Sequence, residues 1–350
     1  MSVSAPTSID ARLSAHTTLR LGGPASRLVT AADADAVVAA VAAADAAGER
    51  VLLLGGGSNL VVADAGFDGT AVLLASTGVH TEPRPDGSVV VTVEAGEDWD
   101  AVVAATVAQG LGGFECLSGI PGRTGATPVQ NVGAYGVEIS DLLVDVDLYD
   151  RRSGTVREHV PAAELGLGYR TSVLKGRDDA IVLRVRFALS ADGLSAPIRY
   201  AELARTLGVT AGERVSPAAA REAVLDLRRG KGMVLDAADH DTWSAGSFFT
   251  NPILPVADAP QVEGLTAWPA GEGFVKLSAA GLIQQAGFTR GHAGPGGRVA
   301  LSSRHVLALT HRGGGHTEDL LALAREVRDG VAERFGVTLH PEPVLVGCSL

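Results

Sequence analysis

Residues 118–136 read Ser-Gly-Ile-Pro-Gly-Arg-Thr-Gly-Ala-Thr-Pro-Val-Gln-Asn-Val-Gly-Ala-Tyr-Gly, and this stretch is the best guide to the fold. Five glycines and two prolines stand between apolar segments. Because few of these side chains are bulky, the backbone N–H groups can approach a flat, charged ligand closely. The spacing matches neither the Gly-x-Gly-x-x-Gly of dinucleotide folds nor the Gly-Lys-Ser/Thr of a P-loop. We therefore expect a cofactor that is held in a different way.

The composition is that of a globular protein of 350 residues, which predicts two or three domains. A formal charge of -11 argues against a general nucleic-acid binder, but it does not exclude anionic small ligands, because local loops and helix N-termini can bind phosphate. Only two cysteines, Cys116 and Cys348, occur, so we expect a reducing, cytoplasmic environment and no disulfide framework. Residues 1–10 lack the pattern of a signal peptide, and no apolar run reaches the ~18 residues of a membrane span.

Helix and strand patterns alternate along the first half of the chain. Asp33 is a candidate N-cap for a helix that ends at Gly48, and 98–109 reads as a second helix. A buried strand is predicted at 50–54, and further strands are predicted at 71–74, 89–93, 143–149 and 181–189. Residues 190–216 read as loops, which suggests a domain boundary there.

The second half predicts another α/β unit. Helices are expected from Ser216 to Gly230, from Ser278, and from Thr317 to Phe335, the last with a clear apolar face. Strands are expected near 247–250, 273–276 and 305–309. The class is therefore α+β with mixed sheets.

Four segments carry residues suited to chemistry. Gly55–Asn59 follows a predicted strand and can wrap a diphosphate, although a triple glycine is also an ordinary turn. In 169–175, Arg170 can fork onto a carboxylate and Lys175 can meet a phosphate; a solvated surface pair is the alternative. Only three of the 29 basic residues are lysines: Lys175, Lys231 and Lys276.

The other two segments contain Ser247 and Glu342. Ser247 lies beside two phenylalanines without a Gly-x-Ser-x-Gly elbow, so it suits a proton donor to a very basic carbanion or enolate, or else a core turn. Prolines on both sides of Glu342 make its backbone rigid, which suits a carboxylate with a fixed position but is also common near chain ends. No His or Cys spacing indicates a metal site.

Taken together and in order, these segments resemble the UDP-N-acetylenolpyruvoylglucosamine reductase (MurB) family of peptidoglycan synthesis. The resemblance covers nearly the whole chain and rests on seven motifs in register: Thr18–Ala25, Leu54–Leu60, Gly119–Gly122, Pro128–Gly136, Tyr169-Arg170, Gly246–Phe249 and Pro341-Glu342. It implies a two-subdomain FAD-binding unit of the vanillyl-alcohol-oxidase (PCMH) type, over 1–80 and 81–197, followed by an α/β substrate domain over 198–350.

The resemblance also implies roles for particular residues. NADPH would reduce the FAD, which would pass hydride to an enolpyruvyl group; Arg170 and Glu342 would orient and stabilise the enolate and Ser247 would protonate it. The diphosphate would lie on Gly55, Gly56, Gly57, Ser58 and Asn59, and the flavin on Ser118, Gly119, Gly122, Gly125, Gln130, Asn131 and Gly133. Substrate contacts would be Tyr169, Lys175, Lys231, Asn251 and Tyr200, whose surroundings, 198–203, resemble the insertion of the larger family class.

Two positions depart from the family pattern. Thr250 stands where many relatives carry Lys, and Pro343 follows the glutamate where Val is common. Thr250 therefore argues against a diphosphate contact at 250, and Pro343 predicts a shift of the backbone at Glu342. We expect a monomer without metal, nucleic acid or membrane partners. The alternatives are a sugar or lactone oxidase on the same fold, for which Cys116 is a candidate flavin tether, and a non-catalytic flavin-binding module.

Overall fold

The computed structural model describes residues 11–350 and divides them into two compact units. The first unit holds 25–56 and 68–230, and the second holds 11–24, 57–67 and 231–350. The segment from which we expect no signal peptide, 1–10, lies outside the described residues.

The first unit begins with a small three-stranded sheet and one helix. Its strands lie in the order Ala25–Ala31, Phe67–Leu74, Val51–Leu54, and the last two run parallel. The helix Ala34–Ala46 starts where predicted, because the Asp33 carboxylate accepts a hydrogen bond of 2.7 Å from the Ala36 N–H. Val37 and Val41 of this helix are buried in a small core with Val72.

A five-stranded antiparallel sheet forms the larger part of the first unit. Its order is Thr155–Pro161, Leu143–Asp150, Ala180–Ser190, Ser88–Glu94, Val79–Pro83. The helix Trp99–Ala108 contributes Trp99 to an aromatic cluster with Phe114 and Phe187, whose ring centroids lie 4.9–5.9 Å apart. A two-stranded ribbon, Gly133–Ala134 with Val137–Glu138, follows the glycine-rich loop.

Two helices after the large sheet belong to the same unit. The prediction of loops throughout 190–216 was wrong, because Ala201–Leu207 is helical and buries Leu203 in the main core of the unit. The segment is short and ends at a left-handed Gly208, so its periodicity covers too few residues to stand out in the sequence. Pro217–Gly230, predicted as a helix, buries Ala220 and Val224 in that core. The predicted boundary after residue 197 stays a prediction.

The second unit combines short sheets with two helices. Its sheets have the orders Ser244–Ser247, Ala308–His311, Val299–Leu301, then Ile253–Pro255, Phe274–Leu277, Ala267–Pro269, and finally Val344–Val346 parallel to Leu60–Val62. The helices are Ala279–Gln285 and Thr317–Phe335. The longer one buries Leu320, Ala324 and Val327, as its pattern predicted, and ends at a left-handed Gly336.

Two predicted strands of this unit are displaced along the chain. The strand expected near 247–250 spans Ser244–Ser247, and the one near 305–309 spans Ala308–His311. The first predicted range includes the apolar pair Phe248 and Phe249, but these residues lie beyond the paired strand and are buried in the core. No helix among residues 11–350 is long and apolar enough to cross a membrane.

Candidate active site

The loop after strand Val51–Leu54 is built for close approach of another chain segment or a ligand. A Cβ on Gly56 would lie 2.7 Å from the Cα of Gly122, so the two glycine-rich loops of the first unit can meet only because both lack side chains here. Gly122 also accepts a hydrogen bond of 3.1 Å from the N-terminal amide of the helix at Trp99. The structure thus brings Gly55 and Gly56 together with the loop from 118 onward.

The second half of this loop belongs to the second unit. Gly57 is left-handed, with φ 59°, and a Cβ there would collide with the carbonyl of His16. Among residues 11–350, nothing accepts a hydrogen bond from the backbone amides of Gly56, Gly57 and Ser58. Successive amides without acceptors in a half-buried glycine loop are the donor set that a diphosphate requires. These residues therefore fit the diphosphate of an FAD.

The second glycine-rich loop is fixed largely by its own hydrogen bonds. The Ser118 hydroxyl donates to the Glu115 carbonyl at 2.6 Å, and the Gly119 amide donates to Asp100 at 2.6 Å. The Gly125 amide donates to the Ala95 carbonyl at 2.8 Å, and a Cβ on Gly125 would lie 2.5 Å from that of Ala95. The predicted flavin contacts at these positions would therefore involve surfaces other than these donors.

Asn131 links this loop to the segment that carries Arg170. It is 1% exposed and left-handed, with φ 49°. Its side-chain nitrogen donates to Glu138 (2.9 Å) and to the carbonyl of Gly168 (3.2 Å), and its side-chain oxygen accepts from the Ser140 amide (2.9 Å). Asn131 thus has a clear structural role, while its neighbour Gln130 is half-buried beside it.

Arg170 lies at the tip of a tight turn closed between Gly168 and Thr171, whose backbones exchange hydrogen bonds of 3.0 and 3.2 Å. Its φ of 53° is left-handed, a conformation that residues other than Gly, Asn and Asp rarely adopt. The guanidinium donates to the Gly133 carbonyl at 2.7 Å and lies 3.9 Å from the Glu138 carboxylate. Tyr169, predicted as a substrate contact, places its ring 5.3 Å from the Arg170 guanidinium.

Tyr200 packs beside the same ribbon. Its ring meets that of Tyr135 edge-to-face, with centroids 5.4 Å apart and planes at 88°. Tyr200 is 44% exposed, whereas burial raises the pKa of Tyr135 to about 12 and keeps its hydroxyl protonated. Tyr135 is a neighbour of this site that sequence reasoning missed; its left-handed φ of 50° becomes visible only in the structure.

In the second unit, a β-bulge sets the direction of Ser247. Ser244 pairs with Thr310 and Ser247 with Ala308, so this strand contains one more residue than its partner. Gly246 within the bulge has φ 73°, and nothing lies within 4 Å of where its Cβ would be. Bulges of this kind re-aim a side chain, here the half-buried Ser247. Its hydroxyl makes no hydrogen bond to the part of the chain that the structure describes.

Glu342 is hydrogen-bonded through the backbone to Phe248, the residue that follows Ser247. The Glu342 amide donates to the Phe248 carbonyl at 2.8 Å, and Phe249 bridges to Pro341. The Asn59 side chain donates to the Glu342 carbonyl at 3.4 Å, and the Val344 amide donates to the Asn59 carbonyl at 2.9 Å. The end of the diphosphate loop, the serine segment and the glutamate segment are therefore directly joined, and Pro343 leaves these bonds intact.

Thr18 makes a second connection that sequence reasoning missed. Its amide donates to the Gly57 carbonyl at 3.2 Å, and its buried hydroxyl donates to the Ser244 carbonyl at 2.7 Å. It thereby joins the diphosphate loop to the strand that carries Ser247. Position 18 begins a recognised motif, but the motif alone carries no sign of this bond.

The remaining predicted contacts are more dispersed. Asn251 is half-buried, and its side-chain oxygen accepts a hydrogen bond of 2.9 Å from the Ala279 amide at the start of a helix. Thr250 donates to the His340 carbonyl at 3.1 Å through its backbone amide. Lys231 is half-buried at the start of the second unit, and the neighbouring Gly232 lies beside Arg304 and Asp241.

Neither a reactive thiol nor a metal centre is favoured at the described residues. Cys116 is fully buried, and burial raises its pKa to about 12, so the thiol remains protonated and is a poor flavin tether. Ligand atoms of Asp145, Asp147 and His159 lie within 4.8 Å of one another, but Arg186 donates to both carboxylates at 2.6–2.9 Å. The two carboxylates are therefore already paired with an arginine.

Known proteins match both halves of the chain. A model of FAD binding domains matches 25–159, and a model of the C-terminal domain of UDP-N-acetylenolpyruvoylglucosamine reductase matches 238–346. The reductase of Saccharopolyspora erythraea is 64% identical over 349 residues, covering 97% of this chain and 95% of that protein. That of Corynebacterium diphtheriae is 55% identical, covering 95% and 89%. The crystal structure of the Thermus caldophilus reductase shares the fold, with a TM-score of 0.64, 24% identity and coverage of 96% and 97%.

The FAD binding domain and its acceptor-free glycine loop define a protein of the FAD-binding class. Within that class, the chain belongs to the UDP-N-acetylenolpyruvoylglucosamine reductase family. The predicted family, the PCMH-type FAD-binding fold, the cofactor and the place in cell-wall synthesis are thereby confirmed.

Proposed function

We propose that this protein uses NADPH and bound FAD to reduce the enolpyruvyl group of UDP-N-acetylglucosamine enolpyruvate, which gives UDP-N-acetylmuramate. The observation that carries the chemistry is the hydrogen bond of 2.8 Å from the Glu342 amide to the Phe248 carbonyl. It joins the backbone of Glu342 to the residue that follows Ser247, in the unit that also holds part of the diphosphate loop, and this supports the proposal.

FAD, when bound, supplies the hydride that adds to the vinyl carbon. The residues of the chain must then deal with the enolate that this addition leaves beside the substrate carboxylate. Arg170 offers a guanidinium whose direction is set by the Gly133 carbonyl, and such a group binds a carboxylate or enolate oxygen through paired N–H donors. Together with Glu342, it would orient the enolate and hold its charge.

Ser247 completes the reaction by donating the Oγ proton to the carbon next to the carboxylate. A serine hydroxyl is a weak acid, so this donation works only toward a strongly basic partner such as an enolate. The free Oγ supports this role, because among the described residues it is not engaged as a donor. Tyr169, Tyr200, Lys231 and Asn251 are proposed as substrate contacts, in keeping with the resemblance to the family.

We also propose that the enzyme is a cytoplasmic monomer. The two cysteines are free thiols in the structure, which suits a reducing compartment. Cell fractionation and the molecular mass in solution would check both statements.

A non-catalytic flavin-binding module is the alternative function, and it needs no proton donor. The decisive measurement is NADPH oxidation by the yellow, FAD-loaded protein with and without UDP-N-acetylglucosamine enolpyruvate. We expect oxidation that depends on the substrate, with one UDP-N-acetylmuramate formed per NADPH. NADPH oxidation at the same rate with and without the substrate, with hydrogen peroxide as the product, would instead indicate an oxidase. A protein that binds FAD but oxidises no NADPH in either case would indicate a binding module.

A further inference from the structure

The Arg170 turn holds a large cationic residue in a backbone conformation that such residues rarely adopt. The φ of 53° lies in the left-handed region, where a side chain crowds the following carbonyl. Such a conformation persists only when surrounding contacts determine it, and residues of this kind cluster at functional sites. The question is therefore which side chains maintain the turn.

Lys175 supports the turn from its own segment. Its Nζ donates a hydrogen bond of 2.8 Å to the carbonyl of Arg170. The base of Lys175 is itself fixed, because the Ser172 hydroxyl donates to the Val129 carbonyl at 2.6 Å and accepts from the Leu174 amide at 3.1 Å. On the other side, Asn131 donates to the Gly168 carbonyl at 3.2 Å. Two buried or half-buried side chains thus hold the first and third carbonyls of the four-residue turn.

The residue type at 175 agrees with this arrangement. The chain uses arginine for all but three of its 29 basic residues, yet it has lysine here. An ammonium group is a compact donor that can point one N–H at a single carbonyl, whereas a planar guanidinium favours paired acceptors. A backbone carbonyl at 2.8 Å is a single acceptor of this kind.

We propose that Lys175 is a positioning residue for Arg170: its ammonium fixes the carbonyl of Arg170, and so the direction of the guanidinium, and does not bind the substrate itself. The proposal rests on the proposed function, in which Arg170 meets the carboxylate end of the substrate. It differs from the expectation that Lys175 contacts a phosphate.

A double-mutant cycle separates the two roles. Lys175→Met, Arg170→Met and the double variant are compared for kcat and KM with the enolpyruvyl substrate, and for flavin reduction by NADPH in its absence. We expect Lys175→Met to lower kcat by about 10- to 100-fold, with flavin reduction unchanged. In the Arg170→Met background the same substitution should change kcat by less than about twofold, because a residue that acts only through Arg170 has nothing left to position.

Equal losses in both backgrounds, or a rise in KM without a fall in kcat, would overturn the proposal and favour a direct substrate contact. An unchanged kcat in Arg170→Met alone would instead contradict the proposed function of Arg170. Arg177→Met is the matched control, since it removes an exposed cation two residues away that pairs with Asp179. FAD content and the urea midpoint report whether each variant folds. Should Lys175→Met fail to fold, Lys175→Gln keeps one N–H donor without the charge and enters the same cycle.

Discussion

Arg170 and Ser247 are both placed by left-handed backbone, but the two units achieve this in different ways. At the turn, the functional residue itself is left-handed, and side chains hold it there. At the bulge, the neighbouring Gly246 takes the left-handed conformation, and backbone hydrogen bonds hold the strand. The turn therefore depends on the side chains that contact the functional residue itself, whereas the bulge depends on a left-handed glycine beside the functional residue.

Removing the hydroxyl of Ser247 tests whether the side chain that the bulge positions is the proton donor. Ser247→Ala is expected to lower substrate reduction by about 10²–10⁴-fold, the range for loss of a general acid, while NADPH still reduces the flavin. Stopped-flow absorbance of the flavin, with and without substrate, measures both steps. Turnover within a few-fold of the parent would remove the proton-donor assignment. Ser247→Cys keeps a proton donor and should recover part of the rate.

Gly246→Ala tests whether the backbone of the bulge aims the serine. Because the space around Gly246 is open, the only cost is a left-handed alanine, about 1–2 kcal/mol of stability. We expect kcat to fall by about 10- to 100-fold as the bulge shifts. Gly264→Ala is the control, because Gly264 is also left-handed (φ 72°) with nothing nearby. If both variants lose stability equally and neither loses activity, the bulge has no role in aiming Ser247.

Thr18→Val tests the connection between the diphosphate loop and the serine strand. It removes the hydroxyl that donates to the Ser244 carbonyl and keeps the shape, at a cost of about 1 kcal/mol. The expected fall in kcat is about 3- to 10-fold, with a weaker affinity of the apoprotein for FAD by flavin fluorescence. Thr18→Ser retains the donor and should behave like the parent. Equal values for Val and Ser would show that the hydroxyl is dispensable.

The smallest effect on catalysis is expected for substitution of Asp241, which lies in the segment just before the bulged strand. Burial opposes ionisation, but the Ser303 amide, the Ser302 and Ser303 hydroxyls and Arg312 together lower the pKa of Asp241. A lowered folded-state pKa contributes stability above the unfolded value, and this contribution is lost as the pH falls below about 4. Asp241→Asn should therefore be less stable than the parent at pH 7, and the difference should narrow toward pH 3. Urea unfolding at the two pH values measures it, and a constant difference would contradict the assignment.

Much of the difference between the Arg170 turn and the Ser247 bulge could not be predicted from the sequence. The periodicity of Thr317–Phe335 and the cap at Asp33 were enough to predict those helices, because local interactions determine them. The motifs identified Arg170, Ser247 and Glu342 as residues of interest. What holds them depends on contacts between distant segments, such as Thr18 with Ser244 or Asn59 with Glu342, and on left-handed residues at 131, 135 and 170 that no local pattern announces.

The parallel pairing of Leu60–Val62 with Val344–Val346 has a consequence for how the protein is made. During synthesis, the loop at Gly57–Asn59 and the strand Leu60–Val62 leave the ribosome long before the partner strand Val344–Val346 has been translated. The second unit must therefore wait for residues beyond 340, while all of 25–230 is already available to fold. Translation to the end of this strand is then the event that assembles the serine, the glutamate and the diphosphate loop. A nascent chain stalled shortly before residue 340 would carry a folded first unit and an incomplete second unit open to proteases.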